Sequence, residues 1–449
     1  MPPSPHPLAV SAPFDPQPEP ASLAWLQEQW AQLGDCFVIP PVSRRSPSLF
    51  VNDAEAVDHV LKGNRRNYVK GVGFERVEML LGNGIITSDG DQWRRQRTMI
   101  QPAFKTGRIA TLQRTMADAA AALTAGWDRQ LAAADDEAPS VNVTREMSEF
   151  GLEVILRALF SDDYESLTGP ESGSQFAFLA TQFERDLRFA HRFRKLTGPI
   201  GDLIEDRLAS GRRPDDLLSG LLDARHRATG TGMTRRELID EVTTLIVAGH
   251  ETSAGTLNWV WYELARHPEV EAQVLEELAG LPAEASTSLA GPGPSDLLTL
   301  KYTRQVLDEC LRLYPPVWMF SRKALEADTV LGQPVEAGTN VFVSPYLMHR
   351  NSRYWSATGQ SPGESLQDFN PAHFDSPPAV ASSFIPFSAG SRRCIGEHFS
   401  YLEMLTLLAA ALPRFQLSLE DAEPVPIEAA VNLRSARDIV MHLQRRSPN

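Results

Sequence analysis

The sequence predicts a mainly α-helical protein with a small β region. The main reason is a long apolar helical pattern, which follows a capping box at 234–237 and continues without proline until Pro268. A helix of about 33 residues would be roughly 50 Å long, enough to cross a large domain. Further helical patterns occupy 109–134, 148–159 and 174–193. Strand-like patterns are short by comparison and lie at 36–51, 330–343 and 417–443.

Composition limits the kinds of protein that this chain can be. The 449 residues carry a net charge of −14, which argues against nucleic acid as a partner. Three cysteines are too few for a disulfide framework. Residues 1–20 are rich in proline and lack the basic and apolar regions of a leader, so we expect an extended arm before a domain over 21–449. With no apolar stretch long enough for a membrane anchor, we expect a cytoplasmic monomer.

One cysteine lies in a loop with a phenylalanine, two glycines and an arginine at set spacings: Phe387, Gly390, Arg392, Cys394 and Gly396. An apolar helical run at 401–412 follows, and a sulfur near a helix start favours the thiolate form. The glycines would let the backbone approach a flat cofactor or adopt positive φ. Arg392 would supply a planar cation for a carboxylate beside a metal. The alternative is a buried cysteine in a glycine-containing loop.

The long predicted helix contains an unusual polar patch at 248–253. His250 and Glu251 begin like a zinc-protease helix, but position 254, where the second histidine would stand, is alanine. One interpretation is a local widening of the helix at Gly249, with Glu251 and Thr252 delivering protons to a small bound ligand. The other is a glycine required for packing, with hydroxyl groups bonded inside the helix.

Two further pairs have the spacing of helical neighbours. Trp93 and Arg97 stand four residues apart, so both project from one face and could hold an anionic group. The alternative is an amphipathic helix with a solvated basic side. Glu309 and Arg312 are three apart within an apolar run, which predicts a buried ion pair.

These separate motifs, in this order over roughly residues 35–445, resemble the cytochrome P450 family of haem-thiolate monooxygenases. The resemblance implies a single-domain triangular prism of helices around a buried haem b, with Cys394 as the iron ligand. It implies cofactor contacts at Trp93, Arg97, Ala248, Gly249, Arg322, Phe387, Gly390, Arg392, Cys394 and Gly396. His349 is a further candidate to bind a haem propionate.

The resemblance also implies which residues act beside the haem. Glu251 and Thr252 would deliver protons during oxygen activation, and Glu309 with Arg312 would anchor the loop beneath the haem. The family often adds an arginine to that pair, but this chain has His373 at that place. The stretch 68–86 corresponds to the family's loop above the substrate. We expect an apolar pocket lined by Val72, Phe74, Val77, Met79, Leu80, Val317, Trp318, Met319 and Phe320.

The expected reaction is insertion of one atom of dioxygen into a lipid, terpenoid or polyketide-like molecule, as hydroxylation or epoxidation. We expect the electrons to come from NAD(P)H through a reductase and a separate ferredoxin or flavodoxin, because the chain after Cys394 is too short for a redox domain. Arg94, Arg95 and Arg393 are candidates for the docking surface. The alternatives are a peroxide-driven peroxygenase or hydroperoxide isomerase and, more distantly, a non-catalytic haem sensor.

Overall fold

The computed structural model describes residues 9–10, 12–43, 46–134, 138–169, 175–182, 187–282, 292–355 and 365–447. The helices are α1 (Pro20–Leu33), α2 (Ala54–Asp58), α3 (Phe74–Leu81), α4 (Gly90–Ile100), α5 (Thr106–Thr111), α6 (Gln113–Ala133), α7 (Val143–Phe160), α8 (Tyr164–Thr168), α9 (Phe178–Thr181), α10 (Leu187–Lys195), α11 (Thr197–Ser210), α12 (Leu217–Asp223), α13 (Arg235–Arg266), α14 (Pro268–Ala279), α15 (Pro294–Leu297), α16 (Lys301–Leu313), α17 (Pro345–Met348), α18 (Ser352–Trp355) and α19 (Glu397–Ala411).

The strands are β1 (Cys36–Ile39), β2 (Ser48–Val51), β3 (Tyr68–Lys70), β4 (Ser140–Asn142), β5 (Phe320–Ala324), β6 (Asp328–Val330), β7 (Gln333–Val335), β8 (Asn340–Val343), β9 (Phe415–Leu419), β10 (Ile427–Ala429), β11 (Leu433–Ser435) and β12 (Val440–Arg445). Helix is therefore the main element and the strands are short, as the sequence predicts. Among the described residues, none of the helices combines the length and the apolar character that a membrane span requires.

Two compact units make up the chain. The β unit contains residues up to 76, 305–394 and 426–436. Its main sheet has the strand order β1-β2-β8-β5-β3, in which β2 and β8 are parallel and the other pairs are antiparallel. Apolar side chains of the paired strands β2 and β8, such as Leu49 and Val341, form its core.

The helical unit contains 77–304, 395–425 and the residues from 437 onward. Its central helix is α13, which packs along α7. The predicted capping box is present, because Thr234 accepts the Glu237 N–H while the Glu237 carboxylate accepts the Thr234 N–H. Nearly every position of α13 from Leu238 to Ile246 is buried, so packing as well as capping stabilises this helix.

Two sequence expectations differ from the structure. The stretch 68–86, expected to be a loop, contains strand β3 and the eight-residue helix α3. The glycines at both ends of α3 suggested a loop, but the apolar spacing of Phe74, Val77 and Leu81 suits a short helix. A single helix was expected over 174–193. The structure instead has α9, which ends at Thr181, and α10, which begins at Leu187. Residues 170–174 and 183–186 lie outside the described residues.

The proline-rich start of the chain is partly described. Residues 1–8 and 11 lie outside the described residues. Ala9 forms a parallel bridge with Val38, and the Val10 N–H donates to the Val38 carbonyl at 3.1 Å. The Phe14 ring stacks on Trp25 of α1 with ring centroids 4.2 Å apart. The described part of the arm therefore lies along strand β1.

Candidate functional site

The cysteine loop of the β unit is folded back on itself. The Cys394 N–H donates to the Phe387 carbonyl at 2.9 Å, and the Ser388 N–H donates to the Ile385 carbonyl at 3.0 Å. A single 3₁₀ turn over Gly390–Arg392 lies between these residues. The backbone before Cys394 is therefore fixed by local hydrogen bonds.

Only one of the two motif glycines has the backbone conformation that favours glycine. Gly390 has φ +70°, and a Cβ there would collide with the Leu61 carbonyl oxygen. Gly396 has φ −90° and is the N-cap of α19, which begins at Glu397, earlier than the predicted helical run. Gly390 is thus required by its close approach to neighbouring backbone, a physical reason that needs no cofactor.

Glu309, Arg312 and His373 form one buried polar cluster. Arg312 donates from Nε to Glu309 Oε2 and from Nη2 to Oε1, both at 2.7 Å, and both side chains are fully buried. His373 Nδ1 lies 3.1 Å from Glu309 Oε1. The Asn370 N–H also donates to Oε1, at 2.9 Å. His373 therefore contacts the carboxylate from the position at which the family that the sequence resembles often has an arginine.

The electrostatics of this cluster favour an ionised carboxylate. Burial raises the pKa of Glu309, but the charge and hydrogen bonds of Arg312, aided by His373, outweigh burial and leave the pKa below its usual value. Arg312 Nη1 also donates to the Leu366 carbonyl at 2.8 Å and to the His349 carbonyl at 3.2 Å. The cluster ties helix α16 to the chain segments that precede the cysteine loop.

His349 has a different contact from the predicted propionate. Its side chain is fully buried, and Nε2 accepts the Ile385 N–H at 3.0 Å. Burial, with the nearby charges of Arg350 and Arg312, lowers the pKa of His349 to about 3, so the ring is neutral. A neutral ring that accepts at Nε2 carries its proton on Nδ1. His349 thus supports the backbone that enters the cysteine loop.

The other predicted groups of the β unit suit a haem. Arg322 lies on β5, is 6% exposed and donates from Nη1 to the Ser321 carbonyl at 3.0 Å. Arg392, two residues before Cys394, is half-buried. A cysteine thiolate can bind haem iron, and guanidinium groups pair with carboxylates such as the haem propionates. The donor set therefore fits a haem with its two propionates.

In the helical unit, α4 carries the second predicted pair. Trp93 and Arg97 are both half-buried and lie one turn apart. Their neighbours are ion-paired: Arg94 with Asp91, and Arg95 with Glu237. Arg95 also donates to the Gly232 carbonyl at 2.8 Å. Arg95 therefore forms a contact inside the helical unit, and of the two expected docking residues on α4 only Arg94 is exposed.

The predicted polar patch lies within a continuous α13, with no break at Gly249. A Cβ on Gly249 would approach the Ile155 Cδ1 of α7 to 2.9 Å, so packing between the two helices explains this glycine. The Thr252 hydroxyl donates to the Ala248 carbonyl at 2.9 Å, and Glu251 is half-buried. His250 is buried, with Nε2 at 2.9 Å from the Ser148 hydroxyl.

One buried acid was missed by sequence reasoning. Glu403 of α19 is fully buried, close to Gly151 of α7. Burial raises the pKa of Glu403 to about 8, and the nearby Ser253 lowers it only in part. The Ser253 hydroxyl lies 3.0 Å from that of Ser400. The sequence signal that could have revealed this buried acid is a single glutamate within an apolar run. In the structure, successive positions of that run are buried.

The residues predicted to line the pocket lie in different environments. Met79 on α3 is 69% exposed and Val317 is 39% exposed. Trp318 is buried in a core cluster and donates from Nε1 to the Ala430 carbonyl at 2.8 Å. The remaining members are half-buried: Val72, Phe74, Val77, Leu80, Met319 and Phe320. Trp318 is thus a core residue that holds the turn after β10.

Comparison with known proteins identifies the family of this chain. The cytochrome P450 family profile matches residues 2–441. Cyclooctatin synthase of Streptomyces melanosporofaciens is 32% identical over 395 residues, which cover 83% of this chain and 80% of the relative. Cyclooctat-9-en-7-ol 5-monooxygenase of the same organism is 32% identical, with 81% and 78% covered. Pentalenene oxygenase of Streptomyces avermitilis is 29% identical, with 88% and 87% covered. The chain therefore belongs to the cytochrome P450 family and is a haem-thiolate monooxygenase.

Proposed function

We propose that this enzyme inserts one atom of dioxygen into an apolar molecule of the terpenoid class, by hydroxylation or epoxidation. The observation that carries the proposal is the similarity to two bacterial relatives whose names state oxidation of cyclooctat-9-en-7-ol and pentalenene. A lipid or a polyketide-like molecule would also suit an apolar substrate pocket.

Exposed apolar side chains in the β unit support an apolar substrate. The Leu433 N–H donates to the Pro316 carbonyl at 2.9 Å, and Trp318 bonds the Ala430 carbonyl. These bonds hold the turn between β10 and β11 against the segment that bears Val317. Val431 in that turn is 59% exposed. Two large apolar side chains on segments fixed to each other are suited to contact an apolar ligand.

We assign the remaining roles by the family motif, residue by residue. Cys394 would bind the haem iron, and a thiolate-bound haem supplies oxygen activation. Arg97, Arg322, Arg392 and Trp93 would bind the propionates, while Ala248, Gly249, Phe387, Gly390 and Gly396 would shape the haem surroundings. Glu309, Arg312 and His373 keep the cysteine loop in place. These residues would act within one catalytic domain over 21–449, preceded by the arm at 1–20.

Proton delivery is the proposed task of Thr252 and Glu251. The Thr252 hydroxyl carries a proton that it now donates to the Ala248 carbonyl. Glu251, the preceding residue, is half-buried, so water can reach its carboxyl group. Such a relay would be needless in a peroxide-driven enzyme or a haem sensor, which is why the monooxygenase is preferred.

Electrons would come from NAD(P)H through a reductase and a separate ferredoxin or flavodoxin. Arg393 and Arg94 are the exposed arginines proposed to attract such an acidic partner. Rapid association that falls steeply with ionic strength would support this assignment.

The experiment is a spectrum followed by turnover. The haem-loaded wild-type enzyme should give the red-shifted reduced carbonyl band, which Cys394→Ala should lose and the control Cys36→Ala should keep. With a ferredoxin system and NADPH, pentalenene should be converted to an oxygenated product. Conversion by hydrogen peroxide alone, with none from NADPH, would contradict the proposal and favour a peroxygenase.

A further inference from the structure

Two neighbouring carboxylates on α13 hold the backbone that follows α3. Asp240 Oδ2 accepts the Asn83 N–H, and Glu241 Oε2 accepts the Ile85 N–H, each at 3.0 Å. Asp240 and Glu241 are both buried. The backbone just after α3 is therefore fastened to α13 at two points.

Glycines allow this close approach. Gly82 has φ +71°, and a Cβ there would collide with the Asp240 carboxylate. A Cβ on Gly84 would collide with the Thr244 hydroxyl and would lie 2.7 Å from the Asp240 carbonyl oxygen. A side chain at either position would push the segment away from α13.

Other hydrogen bonds make the fastened segment rigid. The Gln96 side chain donates to the Asn83 carbonyl at 2.8 Å. The Thr87 hydroxyl donates to the Gly82 carbonyl at 2.7 Å. The residues from Gly84 to Ser88 are mostly buried. The segment 82–88 is thus a fixed support from which α3 extends.

A cleft lies beside this support. Its volume is about 380 Å³, within the size range of small-molecule sites. Its lining includes the apolar Met79 and Leu80 of α3, Thr197 of α11 and Thr243 of α13, and the charged Glu78, Arg194 and Arg236. Asp240 lines the cleft as well as holding the backbone. A shift of α3 relative to α13 would therefore change the width of this cleft.

We propose that Asp240 and Glu241 are positioning residues that set where α3 lies beside the cleft, and with it how tightly the enzyme binds bulky apolar molecules. This inference rests on the proposed function, together with the sequence expectation that Met79 and Leu80 line the substrate pocket. Arg236 Nε lies 2.9 Å from Asp240 Oδ1, but its side chain is 76% exposed. Arg236 thus pairs with Oδ1, whereas the Asn83 N–H donates to Oδ2 of the same carboxylate.

The test compares a bulky and a small ligand of the haem-loaded full chain. Clotrimazole, which is bulky and apolar, and imidazole are titrated by the absorption change at the haem. Asp240→Ala should weaken clotrimazole binding about tenfold and leave imidazole binding within about twofold. Asp240→Asn keeps an acceptor oxygen and should recover most of the affinity. Arg114→Gln, the matched control, breaks a comparable exposed i,i+4 ion pair with Asp118 on α6, away from the cleft, and should bind both ligands as the wild type does.

Two further measurements decide the matter if Asp240→Ala folds poorly. Hydrogen exchange on the wild-type holoenzyme should find the Asn83 and Ile85 amides more protected than the exposed positions of α3, with Ile85 losing protection in Glu241→Ala. Gly84→Ala should weaken clotrimazole binding from the opposite side of the contact. Equal affinities in all variants, or amides exchanging as fast as α3, would overturn the inference. A wild-type enzyme without the thiolate spectrum would instead overturn the proposed function.

Discussion

Glu309 of the β unit and Glu403 of the helical unit are both fully buried, but their carboxyl groups have opposite electrostatic surroundings. Glu309 accepts two hydrogen bonds from Arg312, and its pKa lies below the usual value despite burial. Burial raises the pKa of Glu403 to about 8, and the nearby Ser253 lowers it only in part. Complete burial thus leaves a carboxylate ionised or protonated according to whether a cation accompanies it.

The two acids also act on stability in opposite pH ranges. Glu309 binds its proton less readily in the folded chain, so its stabilising contribution is present above the unfolded pKa and is lost as the pH falls through the folded value. Glu403 keeps its proton when the unfolded chain has lost it. Its contribution is present below a pH of about 4.5 and is lost progressively as the pH rises towards about 8.

The largest effect is expected from Glu309→Ala. This change leaves Arg312 buried without its counter-charge and deprives the Asn370 N–H and His373 of an acceptor. Breaking such a pair costs about 3 to 5 kcal/mol. Urea unfolding followed by circular dichroism at pH 7 measures the loss. A loss below about 1 kcal/mol would mean that the cluster contributes little to folding.

Glu403→Gln should change stability in the opposite direction. The amide resembles the protonated acid in shape and is never ionised, so the variant avoids the cost of keeping a proton at neutral pH. The gain should be on the order of 3 kcal/mol at pH 7 and near zero at pH 4.5. Unfolding curves at several pH values check this. A gain that is the same at both pH values would contradict the raised pKa.

His373→Gln should have an intermediate effect. The change removes one contact to Glu309, at 3.1 Å, and leaves both bonds from Arg312 in place. The expected loss is about 1 to 2 kcal/mol, measured by urea unfolding. His373→Arg, which restores the residue that this position often has in the family, is the matched variant. If His373→Gln were as destabilising as Glu309→Ala, the histidine would have a role beyond this contact.

Arg94→Gln should have the smallest effect on stability. Arg94 pairs with Asp91 at the surface, and both side chains are largely exposed. Exposed pairs contribute about 0 to 1 kcal/mol, and salt screens them further. The same variant should slow reduction by a ferredoxin at low ionic strength if Arg94 belongs to the docking surface, which stopped-flow kinetics would measure.

The sequence predicted features whose residue types carry their own signal. The capping box before α13, the Glu309–Arg312 spacing and the cysteine loop are each local patterns with a direct physical cause. Features that depend on tertiary contacts were missed. The glycines around α3 suggested a loop, because their purpose, close approach to Asp240, involves a residue more than 150 positions away. The burial of Glu403 also depends on tertiary packing, and among the described residues its carboxyl group forms no ion pair.

The parallel bridge between Ala9 and Val38 has a practical meaning for anyone who shortens this chain. Strand β1 is the outermost strand of its sheet, and the arm occupies part of that margin. Deleting residues 1–18 would uncover unpaired backbone groups, to which strands of other molecules can add. The shortened protein should therefore aggregate at concentrations at which the whole chain stays dispersed, and light scattering would detect the difference.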